Sequence, residues 1–366
     1  MHIKISVMLC LFVQTLLGVN ELPKEELLKQ QIGRMLVVGF EQSAVDENSQ
    51  IVQDIQRYNL GGVILFDRFY KHKDKTKNII NAQQLQTLTQ ILQKYSSKPL
   101  LISIDQEGGK VQRLKERDGF MPTSSAQHIS NLSLQTAKKQ YDALALQLQQ
   151  LGINVNFAPV VDLASNEDNV VIYKLQRSYG KDVSDVVAYA QTFMDALHEH
   201  DVLAVLKHFP GHGSSLQDSH KGFVDVSHTW RKKELEPYKE LISNNDVQMI
   251  MTAHVFNANL DPTYPATLSY EVNTHLLREE LGYKGVIISD DLQMDAILKH
   301  YTLDQTVRLA INSGIDILLF GNQLSSIATK KIVDTIYAQV LTDEISYERI
   351  LKANERIDML LKNVKK

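Results

Sequence analysis

The sequence predicts an α/β protein, a single closed (β/α)8 TIM barrel. Three observations carry that expectation. Eight short apolar, β-branched runs recur along the chain. Amphipathic stretches at helical spacing lie between several of them. Ionisable residues gather where the runs stop, which is where barrel enzymes place their active sites. Alternating strands and helices imply a parallel sheet with right-handed crossovers. Eight such units in 366 residues favour closure. An open doubly wound sheet is the competing architecture. It is weakened because no glycine-rich dinucleotide or phosphate loop follows any run.

The elements follow in order. His2 and Lys4 precede an apolar stretch from Ile5 to Leu17, broken by Ser6, Gln14 and Thr15. At about 13 residues it falls short of the ~20 that span a bilayer. It fits the apolar core of a secretory signal, with Gly18 the best small residue for cleavage. Residues 1–20 are therefore expected to be removed and the product to be periplasmic or secreted. An uncleaved membrane anchor and a cytoplasmic chain are the alternatives. The only cysteine, Cys10, lies in this segment, so no disulfide supports residues 21–366.

The eight runs are Met35–Val38, Gly62–Phe66, Leu100–Ile104, Val155–Val160, Leu203–Leu206, Met249–Met251, Val286–Ile288 and Ile315–Phe320. Helices are expected over Asn81–Lys94 (Leu85, Leu88, Leu92), Leu134–Leu151 (Ala137, Tyr141, Leu144, Leu148) and Asp185–His200 (Ala188, Phe193, Leu197). No linker rich in Pro, Gly or Ser divides the chain. The apolar and charged fractions, 43% and 22%, are those of a soluble globular protein. A formal net charge of −4 and the lack of a long basic run argue against nucleic acid as a partner.

Strand ends hold the chemistry. The third run stops at Asp105-Gln106-Glu107-Gly108-Gly109, with Arg113 beyond. The glycines permit a tight turn that aims Asp105 and Arg113 into one pocket. The fourth leads through Ala158-Pro159 to Asp162, then by a long loop to Arg177-Ser178-Tyr179-Gly180. The fifth runs into Lys207-His208-Phe209-Pro210-Gly211-His212-Gly213, followed by Asp218-Ser219-His220. The sixth ends in Thr252-Ala253-His254 and the seventh in Ser289-Asp290-Asp291. Alternation along a strand puts Ile288 and Asp290 on one face. Trp230, Met249, Met251 and Met294 are expected to be packing residues.

These motifs resemble a family 3 glycoside hydrolase, in the branch of bacterial β-N-acetylhexosaminidases. The resemblance runs from about Ile32 to Asn322. It rests on the Asp105–Gly109 motif with Arg113, on Asn156–Pro159, on Arg177–Gly180, on Lys207–Gly213 with Asp218–His220, on Pro265–Ser269 and on Gly285–Met294. It implies a retaining exo-β-N-acetylglucosaminidase that works on peptidoglycan fragments or chitooligosaccharides through a covalent glycosyl-enzyme, with no metal and no organic cofactor. Asp290 would be the nucleophile and His220 the general acid/base, oriented by Asp218. Asp105, Arg113, Arg177, Lys207 and His208 would bind sugar hydroxyls and the N-acetyl group. Chemistry agrees, because an imidazole gives and takes a proton near neutrality. Tyr179 stands where the branch usually has Phe, Val224 where it often has Pro, and the Asp162–Gln176 loop lacks the usual Pro-rich form. The Gram-negative members are usually cytoplasmic recycling enzymes, so the export segment is a further departure. Three rival readings are a phosphorylase using the same intermediate, a non-catalytic carbohydrate-binding barrel, and a metal hydrolase built on His208, His212, His220 and His228. Pro210 and the glycines spoil a helical ligand spacing for the last.

Overall fold

Short strands that are apolar along their whole length belong in a sheet buried on both faces. The computed structural model describes residues 23–216, 222, 224–244, 247–362 and 364, and shows that sheet. Its strands are β1 (Leu36–Gly39), β2 (Gly62–Leu65), β3 (Leu101–Ile104), β4 (Val155–Asn156), β5 (Leu203–Phe209), β7 (Met249–Thr252), β9 (Val286–Ser289) and β10 (Leu318–Phe320). All eight expected runs are strands. Their order is β10-β1-β2-β3-β4-β5-β7-β9, every pairing parallel. A parallel bridge between Ile288 and Ile317 joins the two ends, so the sheet closes. The segment expected to be a secretory signal lies outside the described residues.

Two differences from the expectation have physical causes. The fourth strand is only two residues long, because Pro159 has no N–H to give to a ladder. Pairing resumes at a single bridge between Val160 and Lys207. A second, two-stranded sheet of β6 (Val224–Asp225) and β8 (Val255–Phe256) lies beyond the ends of β5 and β7. Runs this short leave no period to read.

The outer helices match their apolar spacing. They cover Ala82–Tyr95, Leu134–Gln150 and Val183–Glu199. Asn81 and Ser133 cap the first two by accepting from Gln84 N and Thr136 N. Thr302 and Gln305 form a capping box on the helix Leu303–Ser313. At the N-terminal end of the barrel, Arg278, Arg349 and Arg356 converge on Asp316, which is fully buried. Asp316 also accepts from Ile287 N at 3.0 Å, tying the last strand's approach to β9. Among the described residues no helix is long and apolar enough to cross a membrane. The opposite, C-terminal end is left open for a site.

Candidate active site

A cleft of about 800 Å³ occupies that end. Asp105, Arg113, Arg177, Lys207, His208 and Asp290 all line it. The described candidates are thus brought together. Asp218 and His220 lie outside the described residues.

The β3 end behaves as its glycines predict. Gly108 and Gly109 take φ of 101° and 58°, and Gly108 bridges to Val111. Gln106 Oε1 accepts from Arg113 N and Leu114 N, both at 2.9 Å, which fastens the turn. Arg113 Nη2 then reaches Asp105 Oδ2 at 3.1 Å. From the far wall, Lys207 Nζ donates to Asp105 Oδ1 at 3.0 Å and meets Glu107 Oε1 at 2.7 Å. Glu107 also takes a two-pronged bond from Arg177, Nε to Oε2 and Nη2 to Oε1, each 2.7 Å. Burial works to raise the pKa of both carboxyls, and the neighbouring cations outweigh it. Lys207 and Arg113 hold Asp105 below the usual carboxylate range. Arg177 and Lys207 take Glu107 down to about 2. The same carboxylates hold the buried Lys207 ammonium above its ordinary pKa, against desolvation.

Lys207 and His208 are consecutive, yet both reach the mouth. A regular strand would point them to opposite faces. The register of β5 against β7 shifts between Leu206 and Phe209, and a bulge of this kind re-aims a side chain. The Lys207–His208 and Phe209–Pro210 peptide bonds are cis. His208 is held at both ring nitrogens. Arg177 Nη2 has only protons to offer, so His208 Nε2, 3.2 Å away, accepts. Nδ1 therefore carries the proton and donates to Asp162 Oδ2 at 2.7 Å. The ring is neutral in this arrangement. Its lone pair is taken by a guanidinium, which leaves no nitrogen for a metal and removes His208 from the metal-hydrolase reading.

This geometry divides the expected sugar ligands. Four of the five N–H groups of Arg177 go to Glu107, His208 and the Val171 carbonyl. Arg177 and His208 therefore stiffen the wall. Asp105, with 18% of its side chain exposed, and Arg113, with 24%, present more polar surface to the cleft. Two residues to which the motifs assign no role are central. Glu107 is the hub for Arg177 and Lys207. Asp162 accepts from His208 and from His212 N at 2.7 Å. A carboxylate two residues from Asp105, and one closing the fourth run, were the available signals.

At the tip of β9, Asp290 and Asp291 part company. Asp291 Oδ1 accepts from Gln293 N and Gly321 N, both 3.0 Å, and its carbonyl accepts from His254 Nε2 at 2.9 Å. A side chain at position 321 would collide with Asp291 Oδ2, which lies 2.5 Å from where a Cβ would stand. Asp291 thus ties β9 to the exit of β10. Asp290 Oδ1 accepts from Asp291 N at 2.8 Å, which orients its carboxylate at the cleft. Phe66, Phe157, Met251, Met294 and Leu319 supply apolar lining. Trp230 is buried and donates to the Pro210 carbonyl at 3.0 Å, a packing role as expected.

A closed (β/α)8 barrel with paired acids and bases at the carboxyl ends of its strands has the build of a barrel enzyme, and the comparisons give its family. The family model described as the glycosyl hydrolase family 3 N terminal domain matches residues 27–360. The chain belongs to that family. It is 35% identical over 333 residues to a beta-hexosaminidase A of Pseudoalteromonas piscicida, a match covering 84% of this chain and 54% of that one. It is 35% identical over 275 residues to a beta-hexosaminidase of Haemophilus influenzae, covering 72% and 73%. The solved structure of a glycoside hydrolase family 3 beta-N-acetylglucosaminidase from a Paenibacillus species superposes with a TM-score of 0.81 at 33% identity, covering 92% and 62%. This chain spans about half the length of the Pseudoalteromonas relative and about three fifths of the Paenibacillus structure.

Proposed function

We propose that this protein is a retaining exo-β-N-acetylglucosaminidase that releases terminal N-acetylglucosamine from peptidoglycan fragments or chitooligosaccharides. The observation that carries the reading is the placement of Asp290 in one cleft with Asp105, Arg113 and Lys207. Retaining hydrolysis needs a carboxylate below the anomeric carbon and a proton donor beside the leaving oxygen. Asp290 supplies the first. It attacks the anomeric carbon as the bond to the leaving oxygen breaks, giving a glycosyl ester. His220, as imidazolium oriented by Asp218, gives its proton to that oxygen. It then takes a proton from the water that cleaves the ester. Asp105 accepts from sugar hydroxyls, and Arg113 and Lys207 donate to them. Arg177 and His208 hold the wall that meets the N-acetyl group. Neither step draws on a metal or an organic cofactor. The apolar segment from Ile5 to Leu17 supports a place outside the cytoplasm for the mature chain.

The test is turnover of aryl β-N-acetylglucosaminide beside aryl β-glucoside and β-N-acetylgalactosaminide, with and without phosphate. Hydrolysis of the first, unchanged by phosphate, is expected. Asp290→Ala should lose several orders of magnitude in kcat, and a 2-fluoro sugar should label Asp290. Labelling of Asp291, or acceleration by phosphate with release of a sugar 1-phosphate, would overturn the reading.

A further inference from the structure

The cleft has a charged wall that the proposed reaction leaves unused. In the closed sheet, β3 lies four strands from β9 in either direction. The loops after β2 and β3 therefore face Asp290 across the mouth. C1 and C4 are opposite corners of a pyranose ring. A sugar with C1 at Asp290 points C4, and the C6 arm beside it, at this wall.

The wall carries Arg68 and Lys73 after β2, and Lys115 and Arg117 after the β3 turn. Their carboxylate partners are Asp67 and Asp118. Lys115 Nζ is 2.8 Å from Asp67, and Arg68 and Arg117 approach the same carboxylate at 3.5 and 4.0 Å. Arg68 and Arg117 each stand 3.7 Å from Asp118. Arg68 Nη1 donates to the Lys73 carbonyl at 3.3 Å, and the Lys73 ammonium lies 6.0 Å from the Tyr70 ring centroid. Over residues 67–77 and 115–118, seven Lys and Arg face four Asp and Glu, so the two loops carry an excess of positive charge. The chain as a whole has a formal net charge of −4, so this patch runs against the protein's own balance. Neighbouring Arg113 and Asp105 neutralise each other and do not alter the sum. Arg68 Nε is buried, and its ion pair with Asp67 at 3.5 Å is too long for a good hydrogen bond. Guanidinium groups clustered at a cleft wall suit phosphate and carboxylate oxygens, and an excess of one sign focuses the field there.

We propose that this wall is an anion subsite for a phosphate or carboxylate carried at the C4 or C6 end of the bound N-acetylglucosamine. The inference rests on the orientation set by Asp290 under the proposed function, and it extends the substrates to acidic sugars. A neutral sugar leaves the wall to water.

Direct binding distinguishes it from the parent reading, because titration calorimetry needs no turnover. N-acetylglucosamine, its 6-phosphate and N-acetylglucosaminuronic acid are titrated at low and at moderate salt. At least one acidic sugar should bind about tenfold more tightly than the neutral one, a step of ~1.4 kcal/mol. That advantage should shrink as salt rises. The preferred acid tells phosphate from carboxylate. The double variant Lys73→Gln, Arg117→Gln removes the two exposed cations and leaves the Lys115–Asp67 pair intact. It should abolish the advantage, with kcat/KM on neutral aryl β-N-acetylglucosaminide within about twofold of the parent protein, since charges at an exposed rim act weakly on a neutral ligand. Equal binding of all three sugars, or an advantage that survives in the double variant, overturns the subsite. Loss of turnover on the neutral substrate in the unaltered protein overturns the hydrolase instead.

Discussion

Glu234→Gln should make the protein more stable at alkaline pH and leave it unchanged in acid. Glu234 is buried beneath the turn that follows β5. Its Oε2 accepts from Gly213 N at 3.0 Å, and Ser214 also hydrogen-bonds the carboxylate. Gly211 presses against it at φ 119°, where a Cβ would fall 2.6 Å from the Glu234 Cβ. Burial, with the charge of nearby Asp162 behind it, pushes the Glu234 carboxyl up from 4.5 to about 7. The folded chain therefore holds a proton that the unfolded chain releases between those values. Stability falls as pH rises from 4.5 towards 7 and is flat above. The span from 4.5 to about 7, at ~1.36 kcal/mol per pH unit, gives a penalty of about 3 kcal/mol at pH 8. Glutamine has the shape of the protonated acid, keeps an acceptor for Gly213 N and cannot ionise. Urea unfolding followed by circular dichroism at pH 5 and pH 8 measures the difference. The variant should gain about 3 kcal/mol at pH 8 and less than ~1 kcal/mol at pH 5. Equal stability of the two proteins at both values would refute the argument, because burial would then not be forcing a charge on this turn.

Three further outcomes follow from the site. Glu107→Gln leaves Arg177 and Lys207 without their shared carboxylate. It should cost about 3–5 kcal/mol in the same unfolding assay at pH 7, as breaking a buried pair does. Because Glu107 titrates near 2, its stabilisation is present above pH 4.5 and fades only as pH falls towards 2, so a pH series separates it from Glu234. Asp162→Asn weakens the acceptor of the His208 Nδ1 proton and should lower kcat/KM by about 10–100-fold, the worth of one charge-assisted bond; an unchanged value would show that His208 needs no orientation. His220→Ala should lose on the order of 10²–10⁴ in rate on glycosides with poor leaving groups and far less on activated aryl glycosides, and parallel dependence on leaving-group pKa in the two proteins would remove His220 from the acid role.

The barrel was legible because its signal is redundant. Eight apolar runs each mark a strand, and a few misplaced residues at an end, such as Ile315 against the observed start at Leu318, change nothing in the count. The β3 turn was legible because two adjacent glycines predict a backbone that only one kind of turn uses. The wall built by Glu107, Arg177, Lys207 and Asp162 was only half legible. Its motifs name the residues, but the pairing depends on distances across the barrel that no local pattern encodes. Arg177 shows the consequence. Its motif implies a sugar ligand, but nothing in the motif shows that four of its five N–H groups are also engaged by Glu107, His208 and a carbonyl.

The choice between Asp290 and Asp291 shows where periodicity stops and packing takes over. Alternation along β9 puts Asp290 on the face of Ile288, an argument that holds only while the chain stays extended. The strand ends at Ser289, so both acids lie beyond it and alternation alone decides nothing. Hydrogen bonding supports keeping Asp291 in a structural role. Asp291 accepts from two backbone N–H groups, and its carbonyl is gripped by His254. Gly321 leaves room for its carboxylate against β10, where any side chain would evict it. A carboxylate so committed is costly to redeploy as a nucleophile, because each bond it abandons leaves a buried donor unpaired. Gly321→Ala should therefore displace Asp291, disturb the β9–β10 corner and lower kcat through the backbone that carries Asp290. If that variant keeps full activity while Asp290→Ala is inactive, the corner is dispensable and Asp290 is positioned by β9 alone.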